Sequence, residues 1–165
     1  MVSALQRLKY ISLRMKKSKI VVSSCLLGYK TRYDGSDKNL VGGVDALHEQ
    51  YEVIHFCPEV EAGLGIPRET IELVDMGEAG IRVMGTKTRV DVTEKLRIVC
   101  EQMLAKLDGE EISFFLLKAR SPSCGVCSKL HDYEGNEIGF APGIWAQMVI
   151  AKYGNKVKIL SEELL

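Results

Sequence analysis

Ile112-Ser113-Phe114-Phe115-Leu116-Leu117 runs directly into Lys118-Ala119-Arg120-Ser121-Pro122-Ser123-Cys124-Gly125. The first six residues form an apolar run of the length and composition of a short buried strand. Pro122 lacks a backbone donor and fixes its own φ, and Gly125 permits a sharp turn, so the chain leaves the sheet here. Two hydroxyls and a thiol are thereby presented at a strand end. Two further cysteines share the setting. Cys25 follows Lys19-Ile20-Val21-Val22-Ser23-Ser24, and Cys57 follows Glu52-Val53-Ile54-His55-Phe56 and precedes Pro58-Glu59.

Outward from these three units the pattern alternates. Strands are expected over 19–24, 52–56, 112–117 and 156–160, rich in β-branched and aromatic residues. Helices are expected over 39–50, 91–107 and 142–153. In the second, Val92, Leu96, Val99, Met103 and Leu107 make one apolar stripe. Asp91 and Glu94 have the spacing of a capping box. Cys100 lies beside the stripe and reads as a small core residue. Gly42-Gly43 weakens the first helix, and Pro142 and Gly154 bracket the third. Thr70–Val74 and Gly80–Gly85 alternate about a turn at 75–78, which predicts a β-hairpin. Asp132-Tyr133-Glu134-Gly135-Asn136 is turn-rich, and Ser161 has the position of a cap for a short terminal helix. The fold class expected is α/β: three layers, a mainly parallel Rossmann-like sheet with helices on both faces, and a β-hairpin insertion. In such sheets ligands bind outside the carboxyl ends of the strands. Cys25, Cys57 and Cys124 all fall at such ends, one or two crossover units apart.

Composition sets the class. The 165 residues suit one domain, expected over 19–165, and 46% hydrophobic with 27% charged residues is ordinary for a globular protein. Acids and bases balance at 22 each, so no nucleic-acid partner is expected, and no apolar run is long enough to span a membrane. Residues 1–18 differ. They carry Arg7, Lys9, Arg14, Lys16 and Lys17 and no acid, with Leu5, Leu8, Ile11 and Met15 at roughly helical spacing, and are expected to be a basic extension. Five scattered cysteines argue against a secreted disulfide framework and for thiols kept reduced in a cytoplasm.

Three converging thiolates select zinc, copper(I) or an iron–sulfur cluster. A structural zinc site needs four ligands, and Cys127 is the candidate fourth. His55 lies one pleat below Cys57, and His131 lies in a polar turn, where exposure is expected. A four-iron cluster uses three cysteines and leaves one iron open as a Lewis acid. Glu59, two residues after Cys57, is placed to move protons. Ser121 and Ser123 are placed to orient a polar substrate, with Arg32, Asp34 and Arg120 on the same rim. Taken singly, each is also accounted for as a satisfied loop residue. Cys124-Gly125-Val126-Cys127 has the spacing of a dithiol redox or sulfur-carrier site, although the residues that follow do not open a helix.

Ser24-Cys25-Leu26-Leu27-Gly28, Arg32-Tyr33-Asp34-Gly35, Cys57-Pro58-Glu59-Val60, Gly63-Leu64, Pro67-Arg68, Asp91-Val92-Thr93 and Arg120-Ser121-Pro122-Ser123-Cys124-Gly125 together resemble the bacterial 2-thiouracil desulfidase family, from about Lys19 to Ser161. The resemblance implies a cytoplasmic, iron–sulfur-dependent enzyme. Its [4Fe–4S] cluster would be held by Cys25, Cys57 and Cys124, its substrate would be a thiolated pyrimidine or related thioamide, and its product sulfide. It also implies Glu59 and Ser123 as the acid/base and its polar neighbour. The chain departs from the family's pattern at Thr31, where many members carry a further cysteine. Cys127 and the segment before Lys19 are additional, and the family's Tyr-Asp-Gly turn appears here as His131-Asp132-Tyr133-Glu134-Gly135.

Overall fold

The computed structural model describes residues 17–164, so the apolar spacing from Leu5 to Met15 lies outside the described residues. The described residues form two four-stranded sheets. The first holds β1 (Lys19–Ser23), β2 (Glu52–Phe56), β5 (Ile112–Leu117) and β8 (Lys158–Ser161) in the order β2-β1-β5-β8. Every neighbouring pair in it is parallel.

Its two faces are set by the period-two pattern of the central strands. Val21 pairs with Ile54 and Phe115 across the sheet and shares a face with Phe56 and Leu117. That face packs on α3 (Thr93–Lys106) and α4 (Ile144–Tyr153). Trp145 of α4, 1% exposed, lies edge-on to Phe56 and Phe115. Ile20, Val22 and Leu116 point the other way and are covered by Leu40, Leu47 and Tyr51 around α1 (Val44–Gln50). Strands apolar on both faces need cover on both, which is why helices flank the sheet.

The second sheet has the order β4-β3-β6-β7, from β3 (Ile71–Asp75), β4 (Ile81–Gly85), β6 (Ser128–His131) and β7 (Glu137–Ala141). It consists of two antiparallel hairpins joined through a parallel β3–β6 pair. Leu73 and Val83 on its inner face join the core that holds α3 and α4. The expected β3–β4 hairpin is present. The β6–β7 hairpin that completes the sheet goes beyond the turn that the sequence predicts at 132–136: β6 is four residues long and β7 exposes Ile138 and Phe140, so neither strand carries a strong apolar pattern.

Among the boundaries that differ from expectation, three have clear local reasons. The first helix starts at Val44, because Gly42 adopts φ +76° in a preceding turn. α3 starts at Thr93 without a capping box. Asp91 Oδ1 accepts the Thr93 N–H at 2.8 Å, and the Glu94 carboxylate turns instead to Arg97. Its deepest residues are Leu96, Cys100 and Leu104, with Val99 and Met103 flanking, so Cys100 is a core thiol at 0% exposure. Residues 162–164 form a 3-10 turn rather than an α-helix.

The N-terminus of α4 is capped by a loop and not by a side chain. The N–H groups of Gly143, Ile144 and Trp145 donate to the carbonyls of Gly125, Pro122 and Ser123 at 2.7, 3.2 and 2.8 Å. This seats the 121–125 segment on the core. A Cβ on Gly143 would lie 2.7 Å from the carbonyl oxygens of both Pro122 and Ser121, which are backbone and cannot swing away. Gly143→Ala is therefore expected to cost about 2 kcal/mol and to lower the melting temperature by roughly 4–8 °C. A melting temperature unchanged within about 1 °C would show that the seat is looser than described.

Candidate active site at the carboxyl edge of the parallel sheet

β1 lies at the centre of its sheet, with β2 on one side and β5 on the other, so the crevice at their carboxyl ends is a topological switch point. Each strand delivers one cysteine there. Cys25 lies in a 3-10 turn, Ser24–Leu27, closed by Gly28 at φ +86°. Cys57 is the extended residue before α2 (Pro58–Glu61), and its carbonyl accepts the Glu61 N–H at 3.0 Å. Cys124 lies in the segment after β5. There the Ser121 carbonyl accepts the Gly125 N–H and the Ser128 hydroxyl, both at 2.7 Å. Arg120 takes φ +56° where the strand turns into this loop.

The three loops and the second sheet enclose a cavity of about 500 Å³, lined by all three cysteines. Burial pushes the Cys25 thiol up to about 11, and neighbouring Cys57 adds to the shift. Burial raises Cys57 as well, and carries Cys124 well above the ordinary thiol range with Cys57 again contributing. Each thiolate is thus disfavoured by dehydration and by its neighbours. A bound metal cation reverses both effects.

Glu59, in the first turn of α2, crosses to the Cys124 loop. Its Oε1 accepts the Ser123 hydroxyl at 2.6 Å. Its Oε2 is gripped by Arg68 through Nε and Nη2, both at 2.8 Å. Arg68 is 6% exposed and also donates to the carbonyls of Thr31 and Gly65. Ser121 Oγ lies 3.0 Å from Ser123 Oγ and accepts the Cys124 N–H at 3.1 Å. Because Ser123 donates to the carboxylate, the chain of donors runs Cys124 N–H, Ser121, Ser123, Glu59.

Of the residues singled out from sequence, Glu59, Ser121, Ser123, Arg32 and Arg120 line the cavity with the three cysteines. Arg32 donates to Ser36 at 2.9 Å. Arg120 pairs with Glu163, and its side chain is 77% exposed. Asp34 stands outside the lining and accepts from Ser36 in a turn. Cys127 is exposed and also outside it. His55 hydrogen-bonds Ser24 and stacks on Tyr29. His131 is not an exposed turn residue. It ends β6, is largely buried, and lines the cavity. Sequence reasoning also missed Arg68, Lys118 and Glu72. Lys118 lines the cavity and is tied to Glu162 of the terminal turn, whose carboxylate also accepts the Ala119 N–H. Arg68 is marked in sequence only by the Pro67-Arg68 motif. The Lys129-Leu130-His131 alternation before a turn is the signal for the His131 strand.

The donor set fits an iron–sulfur cluster. A structural zinc centre takes four ligands at one point, and Cys127, the candidate fourth, is exposed and outside the cavity lining. A cluster takes each thiolate at a different iron and asks for no such point. A dithiol reaction would need Cys124 accessible beside Cys127, and Cys124 is only 5% exposed.

The chain matches the family model described as 2-thiouracil desulfurase over residues 20–163. The Bacillus subtilis protein YbbK is 33% identical over 112 residues, 64% of this chain and 72% of that protein. A solved structure of the [4Fe-4S]-dependent thiouracil desulfidase TudS superposes with a TM-score of 0.71 at 36% identity, covering 90% of this chain and 93% of that one.

Arg68 neutralises a carboxylate that is 13% exposed. Arg68→Ala strands that charge, and is expected to destabilise the protein by about 3 kcal/mol in thermal or urea unfolding. A loss below about 0.5 kcal/mol would mean that the pair is solvated and does not hold the two loops together.

Proposed function

The chain belongs to the 2-thiouracil desulfurase family, and from that premise we propose that it is an iron–sulfur-dependent enzyme that removes sulfur from a thiolated pyrimidine and releases it as sulfide. The observation that carries this reading is the delivery of three thiols, two buried and one half-buried, to one cavity by three strand ends, with the Ser123–Glu59 pair beside them. Cys25, Cys57 and Cys124 would hold a [4Fe–4S] cluster. Bound there, it supplies an iron without a cysteine ligand as a Lewis acid for the substrate's sulfur.

The chemistry left to the protein is hydrolytic. Water oxygen bonds to the thiocarbonyl carbon, the carbon–sulfur bond breaks, and sulfide and a carbonyl result with no net redox change. The attacking water must lose a proton. Glu59 is the acceptor available: Arg68 grips its Oε2 while Oε1 faces Ser123. Ser123, 1% exposed, orients the water and passes the proton, and Ser121 fixes the Ser123 hydroxyl. Arg32, Arg120 and Lys118 put positive charge around a site that gathers thiolate and sulfide. Asp34 acts on the substrate only through the 32–36 turn that positions Arg32. Unpaired thiols and an oxygen-sensitive cofactor suit a cytoplasm, and among the described residues no helix is long and apolar enough to cross a membrane.

Protein prepared and assayed without oxygen is expected to convert 2-thiouracil to uracil and sulfide. Glu59→Gln should lower kcat by about 100-fold or more at unchanged iron content. Full turnover by that variant would remove Glu59 from the proton path. Cys127→Ser is expected to leave iron content and turnover within about twofold, since the thiol stands outside the cavity lining.

A further inference from the structure

The cavity has a second wall that the desulfidation chemistry does not use. It is built by the second sheet, the feature least visible in the sequence. Glu72 of β3 and His131 of β6 both line the cavity, and both side chains are mostly buried, at 17% and 19% exposure. His131 Nδ1 has no hydrogen-bond partner and lies 3.7 Å from Glu72 Oε2, beyond hydrogen-bond reach. Buried ring nitrogens are rarely left this way, because a forfeited hydrogen bond leaves their dehydration uncompensated. Glu72 does not move to satisfy it. Its Oε1 is held by Arg89, which also donates to the Tyr133 carbonyl and lies over the Tyr133 ring. The wall therefore holds a fixed acceptor beside an unmet imidazole.

We propose that Glu72 and His131 read the donor–acceptor edge of the substrate's heterocycle, the ring N–H that flanks the thiocarbonyl carbon and the carbonyl next to it, and so set which thiolated rings are accepted. This rests on the desulfidase reading for the identity of the ring, but not for the existence of the wall. A ring with its sulfur toward the three cysteines turns its remaining polar edge to another side of the cavity. Glu72 can take a ring N–H there, and the imidazole can meet a carbonyl or a ring nitrogen through Nε2 as its tautomer allows, Nδ1 being sealed inside the wall. A site whose buried polar groups are met only by the right edge rejects rings that lack it, because those groups are then left unpaired. The role is one of binding and specificity, separate from the Glu59–Ser123 pair.

The test is calorimetric binding of two sulfur-free probes to the iron-loaded protein, uracil and pyrimidin-2-one, which lacks one of the two carbonyls. The native protein is expected to prefer uracil by about tenfold. His131→Phe keeps a ring of similar shape without its nitrogens, and should weaken uracil about tenfold while barely changing pyrimidin-2-one. His131→Asn should recover part of the preference. Uracil binding unchanged in His131→Phe, or equal weakening of both probes, overturns the proposal, and so does a native protein without preference. With 2-thiouracil as substrate, His131→Phe should raise KM by more than it lowers kcat. Preference for uracil without any sulfide release would sink the desulfidase reading and leave the wall standing. Sulfide release without preference would do the reverse.

Discussion

The hydrogen bonds between the 121–125 segment and the first residues of α4 are the constraint on which the site depends. A helix start has backbone N–H groups with no partner inside the helix. A loop leaving a strand has carbonyls that need donors. Here each solves the problem of the other. Gly143 permits an approach that a side chain would block, and Gly125 does the same from the loop side, where a Cβ would meet Ser128 Oγ at 2.7 Å and the Ser121 nitrogen at 2.8 Å. Trp145, two residues further along α4, is anchored between Phe56 and Phe115. The segment that carries Cys124 and Ser123 is thereby fixed to the same core as the strands that deliver Cys25 and Cys57.

That rigidity explains how groups that oppose one another are kept together. Dehydration raises the cost of ionising all three thiols, and Cys57 adds to that cost at Cys25 and Cys124, so the protein alone holds them as neutral groups. Iron supplies the counter-charge when it binds. Beside them the Glu59 carboxylate is balanced by Arg68, whose guanidinium also bridges the Thr31 loop and the Gly65 turn. Fixing Oε2 in this way leaves Oε1 to the serine pair. Proton handling is thus directed to one side of the carboxylate by charge and geometry together.

The parallel sheet was legible because its strands are apolar in both phases and end abruptly in Cys-, Pro- and Gly-bearing loops. β2 and β5 start and stop where their composition changes. The cysteines, Glu59 and Ser123 were legible as residues of unusual chemistry at strand ends. The second sheet was not, because β6 and β7 are short and carry polar and exposed residues, and β6 is stabilised by pairing with β3 at a sequence separation of 57, as Leu73 meets Leu130. His131 was misplaced with them. The Pro67-Arg68 motif marks Arg68 without giving its role: a cation in a Gly- and Pro-rich loop becomes a site residue only when the fold brings a carboxylate to it. Asp34 and Cys127 show the converse. Their chemistry is suggestive in sequence, yet one closes a turn and the other faces solvent.

The central claim is that three strand-end cysteines exist to hold a cluster. The direct measurement is iron, zinc and acid-labile sulfide per chain on protein purified without oxygen, compared with Cys25→Ser, Cys57→Ser and Cys124→Ser. The account predicts about four iron and four sulfide per native chain, as a [4Fe–4S] cluster contains, and loss of both in each variant. Zinc at about one per chain with no sulfide, persisting after attempted reconstitution, would contradict it.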